Sequence, residues 1–299
     1  MDRNHGENPP APPKGEVEAS VKHMHKEGGP EPHEHGKSKT PTKKKATKED
    51  YMRTMKFMAG PMLGILVGAF IGTRFSFSPK VVTGLKSLAA GIVLAAVSTE
   101  LIPEIADVDI AKERLWVVFG VCFGAIMLMT LRSYFDKYDA TKEGKGKVPW
   151  EMIIAIAIDF FVDAILIGMA ISITSGVEGG AGVIMAVALG TEMLIVTMTA
   201  AAQIKENQVS KAEAWGIAAG LAGVVLLGGL LGNFVAARFK GSPPYYGLLA
   251  FGVSALIWLI FEELLVETSK NALDSRIQAS LLFLGFLGII ASGWIGHAH

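Results

Sequence analysis

Apolar residues along this chain gather into eight blocks, near 57–77, 82–102, 115–131, 151–174, 181–203, 213–237, 246–268 and 277–296, with polar or glycine- and proline-bearing links between them. A helix of about 20 apolar residues crosses the hydrocarbon core of a bilayer. The third block is the shortest and is expected to extend into 132–135. The pattern predicts an all-α, polytopic membrane protein in which residues 51–299 form eight transmembrane helices. Residues 1–50 contrast with this. They are rich in Pro, Gly, Lys, Glu and His with few aliphatic side chains, and predict a disordered His/Pro/Lys-rich tail.

Composition agrees with a membrane assignment: 51% of the 299 residues are hydrophobic. The formal net charge is zero, so nothing points to nucleic acid as a partner. The single cysteine, Cys122, excludes a disulfide framework and a Cys-based metal site. Residues 1–50 hold no apolar stretch of signal-peptide type, so the first span is expected to direct insertion into the cell membrane. The loop 132–150 carries Arg132, Lys137, Lys142, Lys145 and Lys147, whereas 175–180 carries no Lys or Arg. Counted over the short loops, the positive-inside rule places both termini outside the cytoplasm, although the basic end of the tail argues the other way.

The candidate chemistry lies inside the spans. Asp159 and Asp163 sit four residues apart in the middle of the fourth block, which puts both carboxylates on one helical face, one turn apart. A bare carboxylate in hydrocarbon costs several kcal/mol (of order 3 kcal/mol on insertion scales), so an acid pair there calls for a cation. Lys86, near the start of the second block, is the nearest candidate counter-charge within a span. Glu192 lies mid-way along the fifth block, and the short link 175–180 makes the fourth and fifth helices antiparallel neighbours, so Glu192 is expected to face the pair. Thr191 and Thr199 offer further oxygens, with back-bonding to helix carbonyls the plainer reading. Met169, Met193 and Met198 offer thioethers but read first as packing.

Two further acidic groups end other blocks. Glu100 and Glu104 form a second i, i+4 pair in Glu100-Leu-Ile-Pro-Glu104, and Glu262, Glu263 and Glu267 cluster in the seventh block. They are either interfacial caps or a vestibule that concentrates cations. Asn233 is a further candidate ligand, and the glycines of the sixth block (Gly216, Gly220, Gly223, Gly228, Gly229, Gly232) read as helix packing. All seven histidines are terminal: His5, His23, His25, His33, His35, His297 and His299. The His-x-His pairs 23/25 and 33/35 suit Zn, Cu or Ni, and no imidazole is left for the membrane interior.

The arrangement resembles the ZIP family of divalent metal transporters over about residues 57–296. Leu88 to Glu104 resembles that family's second helix, which commonly ends His-Leu-Leu-Pro-Glu, and Phe261 to Glu267 resembles its seventh. Asp159-Phe-Phe-Val-Asp-Ala164 stands where the family has His-Asn-Phe-Pro-Glu-Gly. The resemblance implies an inverted repeat. It also implies that Asp159 and Asp163 take the His and Glu positions of a binuclear metal site, that Phe160 replaces an Asn ligand, and that Glu100 replaces a His. On this resemblance the chain would be a divergent member in which intramembrane histidine has been replaced. The echo of Glu100-Leu-Ile-Pro-Glu104 in Glu263-Leu-Leu-Val-Glu267, on opposite membrane faces, agrees with such a repeat.

The expected function is secondary transport of a divalent cation (Mn, Fe(II), Mg or Zn) through Asp159, Asp163 and Glu192 between helices 4 and 5, with Glu100, Glu104 and Glu263 as further metal-site residues. An all-oxygen set favours harder ions over zinc. The alternative is a non-transporting, metal-sensing or partner-recruiting membrane protein of the same fold. No enzymatic activity and no organic cofactor are expected: the ion is cargo, the bilayer is the other partner, and homodimerisation stays open.

Overall fold

The computed structural model describes residues 48–75, 77–108, 110–139, 148–173, 181–270 and 273–296, with side chains left undescribed at 50, 132, 134–139, 173, 181, 262–270 and 292–296. Helix α1 runs Lys48–Arg74, α2 Pro79–Ala106, α3 Ala111–Asp139, α4 Trp150–Ile173, α5 Ala181–Glu206, α6 Lys211–Phe239, α7 Pro243–Lys270 and α8 Ser275–Gly296. No strand occurs among the described residues. Seven of these helices, α1 to α7, are long and apolar enough to cross a membrane, so the chain has the build of a multi-pass membrane protein. The eighth expected span is shorter in its described apolar part, Ser275–Ala291. At about 1.5 Å per residue that part falls short of a hydrocarbon core of about 30 Å.

Helix α1 begins at Lys48, well before its apolar block at 57. Lys48, Arg53 and Lys56 are good helix formers, and the Arg53 guanidinium sits 5.8 Å from the centre of the Phe57 ring. The tail residues before 48 lie outside the described residues.

Local chemistry fixes several ends. Ser210 opens α6 in a reciprocal capping box: its Oγ accepts the Glu213 N–H at 3.2 Å while its own N–H reaches Glu213 Oε2 at 3.2 Å. Helix α5 closes in a left-handed turn at Gln208 (φ 59°), where the Val209 N–H bonds the Ile204 carbonyl at 3.3 Å and Val209 packs against the small apolar cluster of Ile153, Ile204 and Ala214. Gly241 (φ 77°) turns the chain directly from α6 into α7, whose first turn holds Pro243 and Pro244.

Packing is strongest in four pairs: α1 with α5, α4 with α6, α3 with α7, and α2 with α8. Helices α1 and α6 also meet, α4 lies against α5, and α2 bridges to both α5 and α7. Glycine permits the four tight pairs. A methyl group at Gly68 would overlap the Leu194 carbonyl of α5, and one at Gly232 would overlap the Ile165 carbonyl of α4. Gly120 and Gly91 play the same part in the α3–α7 and α2–α8 contacts. Of the sixth-block glycines, Gly228, Gly229 and Gly232 are packing positions as expected, whereas Gly216, Gly220 and Gly223 face open space.

Candidate metal centre

Helices α4 and α5 carry the site. Asp159, Asp163 and Glu192 offer one carboxylate oxygen each, and these atoms all lie within 4.8 Å of one another. Among the described residues no other group of three or more His, Cys, Asp or Glu side chains converges in this way. Asp163 is 1% exposed and Glu192 2%, while Asp159 is partly exposed. Asp163 Oδ2 is buried and has no hydrogen-bond partner. Native proteins seldom leave a buried carboxylate oxygen without a donor, because the group loses its water without compensation. All three acids stand near the middle of helices long enough to span a membrane.

The convergence follows from two periods. The four-residue spacing stacks the Asp159 and Asp163 side chains, and the antiparallel packing of α4 on α5 brings Glu192 to the same level. Neighbouring side chains supply shape more than ligands. Phe160, between the two aspartates in sequence, is fully buried in the main apolar cluster. Met169, Met193 and Met198 are likewise buried, the first two within that cluster. Thr191 donates its hydroxyl to the Val187 carbonyl at 2.8 Å and Thr199 to the Val196 carbonyl at 2.8 Å, the back-bonding reading of both.

Glu100 and Glu104 do not join the triad. Glu100 sits half-buried in a π-helical turn, Val97–Leu101, that interrupts α2. Pro103 explains the turn. It lacks the N–H that an α-helix would direct at the Thr99 carbonyl, and its ring crowds that carbonyl. The preceding turn widens, and the Ile102 N–H bonds the Val97 carbonyl instead. This turn packs on α5, the helix of Glu192, and on α7. Glu104, partly buried, lies on the last short stretch of α2 against α7. The side chains of Glu262, Glu263 and Glu267 lie outside the described residues.

Asn233 is no part of the triad either: it is buried and donates from Nδ2 to the Thr54 hydroxyl, tying α6 to α1. Thr54 was not legible as a site residue, because a lone threonine in a basic, amphipathic stretch carries no signal. Thr197 is a second such residue. It is 3% exposed, its hydroxyl has no hydrogen-bond partner, and it lines a small, mostly apolar cavity with Ala69, Ile153, Ile156, Ala201 and Leu221.

Compared with models of protein families and with curated proteins, the chain matches none at a significant level. The functional reading therefore rests on the residues themselves.

Proposed function

We propose that the chain is a secondary transporter that moves a divalent metal cation across the membrane through Asp159, Asp163 and Glu192. The observation that carries this is the convergence of three carboxylates within 4.8 Å, two of them almost fully buried, midway along membrane-length helices. Ionisable groups at that depth cluster at ion pathways, because neither packing nor solubility rewards them there. A transported ion must bind without being trapped, and a carboxylate site in a helix bundle exchanges hydration water for ligand oxygens reversibly.

The pattern of helix contacts supports a ZIP-like inverted repeat of eight spans. Exchanging α1 with α6, α2 with α7, α3 with α8 and α4 with α5 turns the α1–α5 contact into α6–α4, and the α3–α7 contact into α8–α2. It leaves α1–α6, α2–α7 and α4–α5 as contacts between equivalent partners. Each exchange pairs helices of opposite direction, as an inverted repeat requires. In this reading α8 is the eighth span, both termini lie on the extracytoplasmic face of the cell membrane, and Glu100, Glu104 and Glu263 line the approach to the triad.

Purified full-length protein in sealed vesicles provides the test, with uptake of Mn2+, Fe2+, Mg2+ and Zn2+ followed directly. Uptake above protein-free vesicles, reduced at least tenfold in Asp163→Asn at equal incorporation, is expected. Saturable ion binding with no uptake of any ion would favour the sensing alternative, and uptake unaffected by Asp163→Asn would remove the triad from the path.

A further inference from the structure

We propose that the triad binds one ion per chain and selects a large, oxygen-preferring divalent cation of the Mn2+ and Ca2+ class over Zn2+; this rests on the cation-site reading above. The donor set is the first ground. The three convergent ligands are carboxylates, every histidine lies at positions 5–35 or 297–299, and the lone thiol, Cys122, is exposed on α3. Carboxylate oxygens suit Mg2+, Ca2+ and Mn2+, whereas zinc sites draw on imidazole and thiolate.

Donor type alone does not decide the matter. On raw affinity Zn2+ outranks Mn2+ at sites with N and O donors, so selection must come from geometry. The three oxygens lie within 4.8 Å of one another. An ion with bonds of about 2.4 Å, in the calcium range, touches two oxygens up to about 4.8 Å apart. Three oxygens share one ion at that bond length when they stand up to about 4.2 Å apart, so such an ion tolerates a wider triad than zinc does and leaves room for water ligands. Tetrahedral zinc, with carboxylate bonds of about 2.0–2.2 Å, needs oxygens about 3.3–3.6 Å apart. Both acids of α4 sit on one rigid helical face, and Asp163 and Glu192 are buried between packed helices, so any contraction the frame needs meets resistance.

The count of one ion follows from what surrounds the triad. A second ion needs its own ligands. Phe160 fills the position beside Asp159 with a fully buried ring, and Glu100 and Glu104 stand outside the group. Asp163 Oδ2, buried and without a hydrogen-bond donor, is the independent sign that a ligand is missing from this one point.

The test is a Mn2+ titration of the full chain in lipid nanodiscs, read by the loss of the free-ion electron paramagnetic resonance signal, followed by displacement with Ca2+ and with Zn2+. To keep zinc off the tail, His23, His25, His33 and His35 are replaced by alanine in the intact chain. One Mn2+ per chain, lost in Asp163→Asn, is expected. Ca2+ should displace it, and Zn2+ should need at least an equal concentration to do so. Asp159→His should then raise the potency of Zn2+ tenfold or more. Displacement by Zn2+ at a tenth of the Mn2+ concentration would overturn the selectivity, and two Mn2+ lost in Asp163→Asn would overturn the count, each leaving a cation site in place. Mn2+ and Zn2+ binding that Asp163→Asn does not alter would instead remove the site itself.

Discussion

Asp163 on α4 and Glu192 on α5 bring two buried carboxylates within 4.8 Å of one another midway along a pair of largely apolar helices. Bringing these groups together out of water is unfavourable unless a cation joins them. Protein stability should therefore respond to metal. At a free concentration a hundredfold above the dissociation constant, one bound ion adds about 2.7 kcal/mol. Thermal unfolding of the full chain in detergent should shift upward with Mn2+, and Asp163→Ala and Glu192→Gln should each abolish that shift without unfolding the metal-free protein. An undiminished shift in both variants would show that the ion binds elsewhere.

The glycines of α1 and α6 give a matched pair of packing predictions. Gly68→Ala should destabilise by about 1–3 kcal/mol, because the added methyl meets the α5 backbone at Leu194, which cannot step aside. Gly220→Ala should be neutral or stabilising by about 0.5–1 kcal/mol, since a methyl there meets nothing and alanine favours the helix. Retained fold in detergent, measured by size-exclusion profile after heating, separates the two. Equal behaviour would mean that α1 and α5 are less closely packed than found.

Thr197 yields a prediction of opposite sign from most core substitutions. Its hydroxyl is buried with no hydrogen-bond partner in a cavity formed mainly by alanine, isoleucine and leucine. Valine has nearly the same shape and removes the unsatisfied group. Thr197→Val should raise stability by about 1 kcal/mol, read as a higher unfolding temperature. A fall of similar size would show that the hydroxyl has a polar partner in the cavity.

How far these features could be read from the chain depended on their range. Asp159, Asp163 and Glu192 were legible because helical spacing and one short link determine which faces meet. The eight helical blocks were legible for the same reason, although α1 starts earlier because Lys48 to Lys56 favour helix despite their charge. The π-turn was not read, although Pro103 was its signal: proline forbids the α-helical bond without saying how the chain will relieve it. Asn233 looked like a ligand when considered alone. Only the packing of α1 on α6 reveals Thr54 as its partner, and a contact between residues so distant in sequence has no local trace. The α1–α5 glycine contact was likewise hidden, because the spacing of Gly64, Gly68 and Gly72 marks a close approach but not the helix approached.

Helix α1 begins at Lys48, so a chain lacking residues 1–45 keeps every described helix whole. The removed segment holds five of the seven histidines and almost no aliphatic side chains, so it offers metal ligands but no apolar area to pack. Two kinds of metal binding should thus separate. Zn2+ and Ni2+ bound through the His-x-His pairs should be lost on truncation, whereas Mn2+ bound at the triad should persist with unchanged stoichiometry. Unfolding temperature in the absence of metal should stay within about 2 °C, since a segment with so few aliphatic side chains has little to add to a core. If the truncated chain failed to insert in the membrane, or lost its Mn2+ together with its Zn2+, the tail would have to contribute to the fold or to the triad itself.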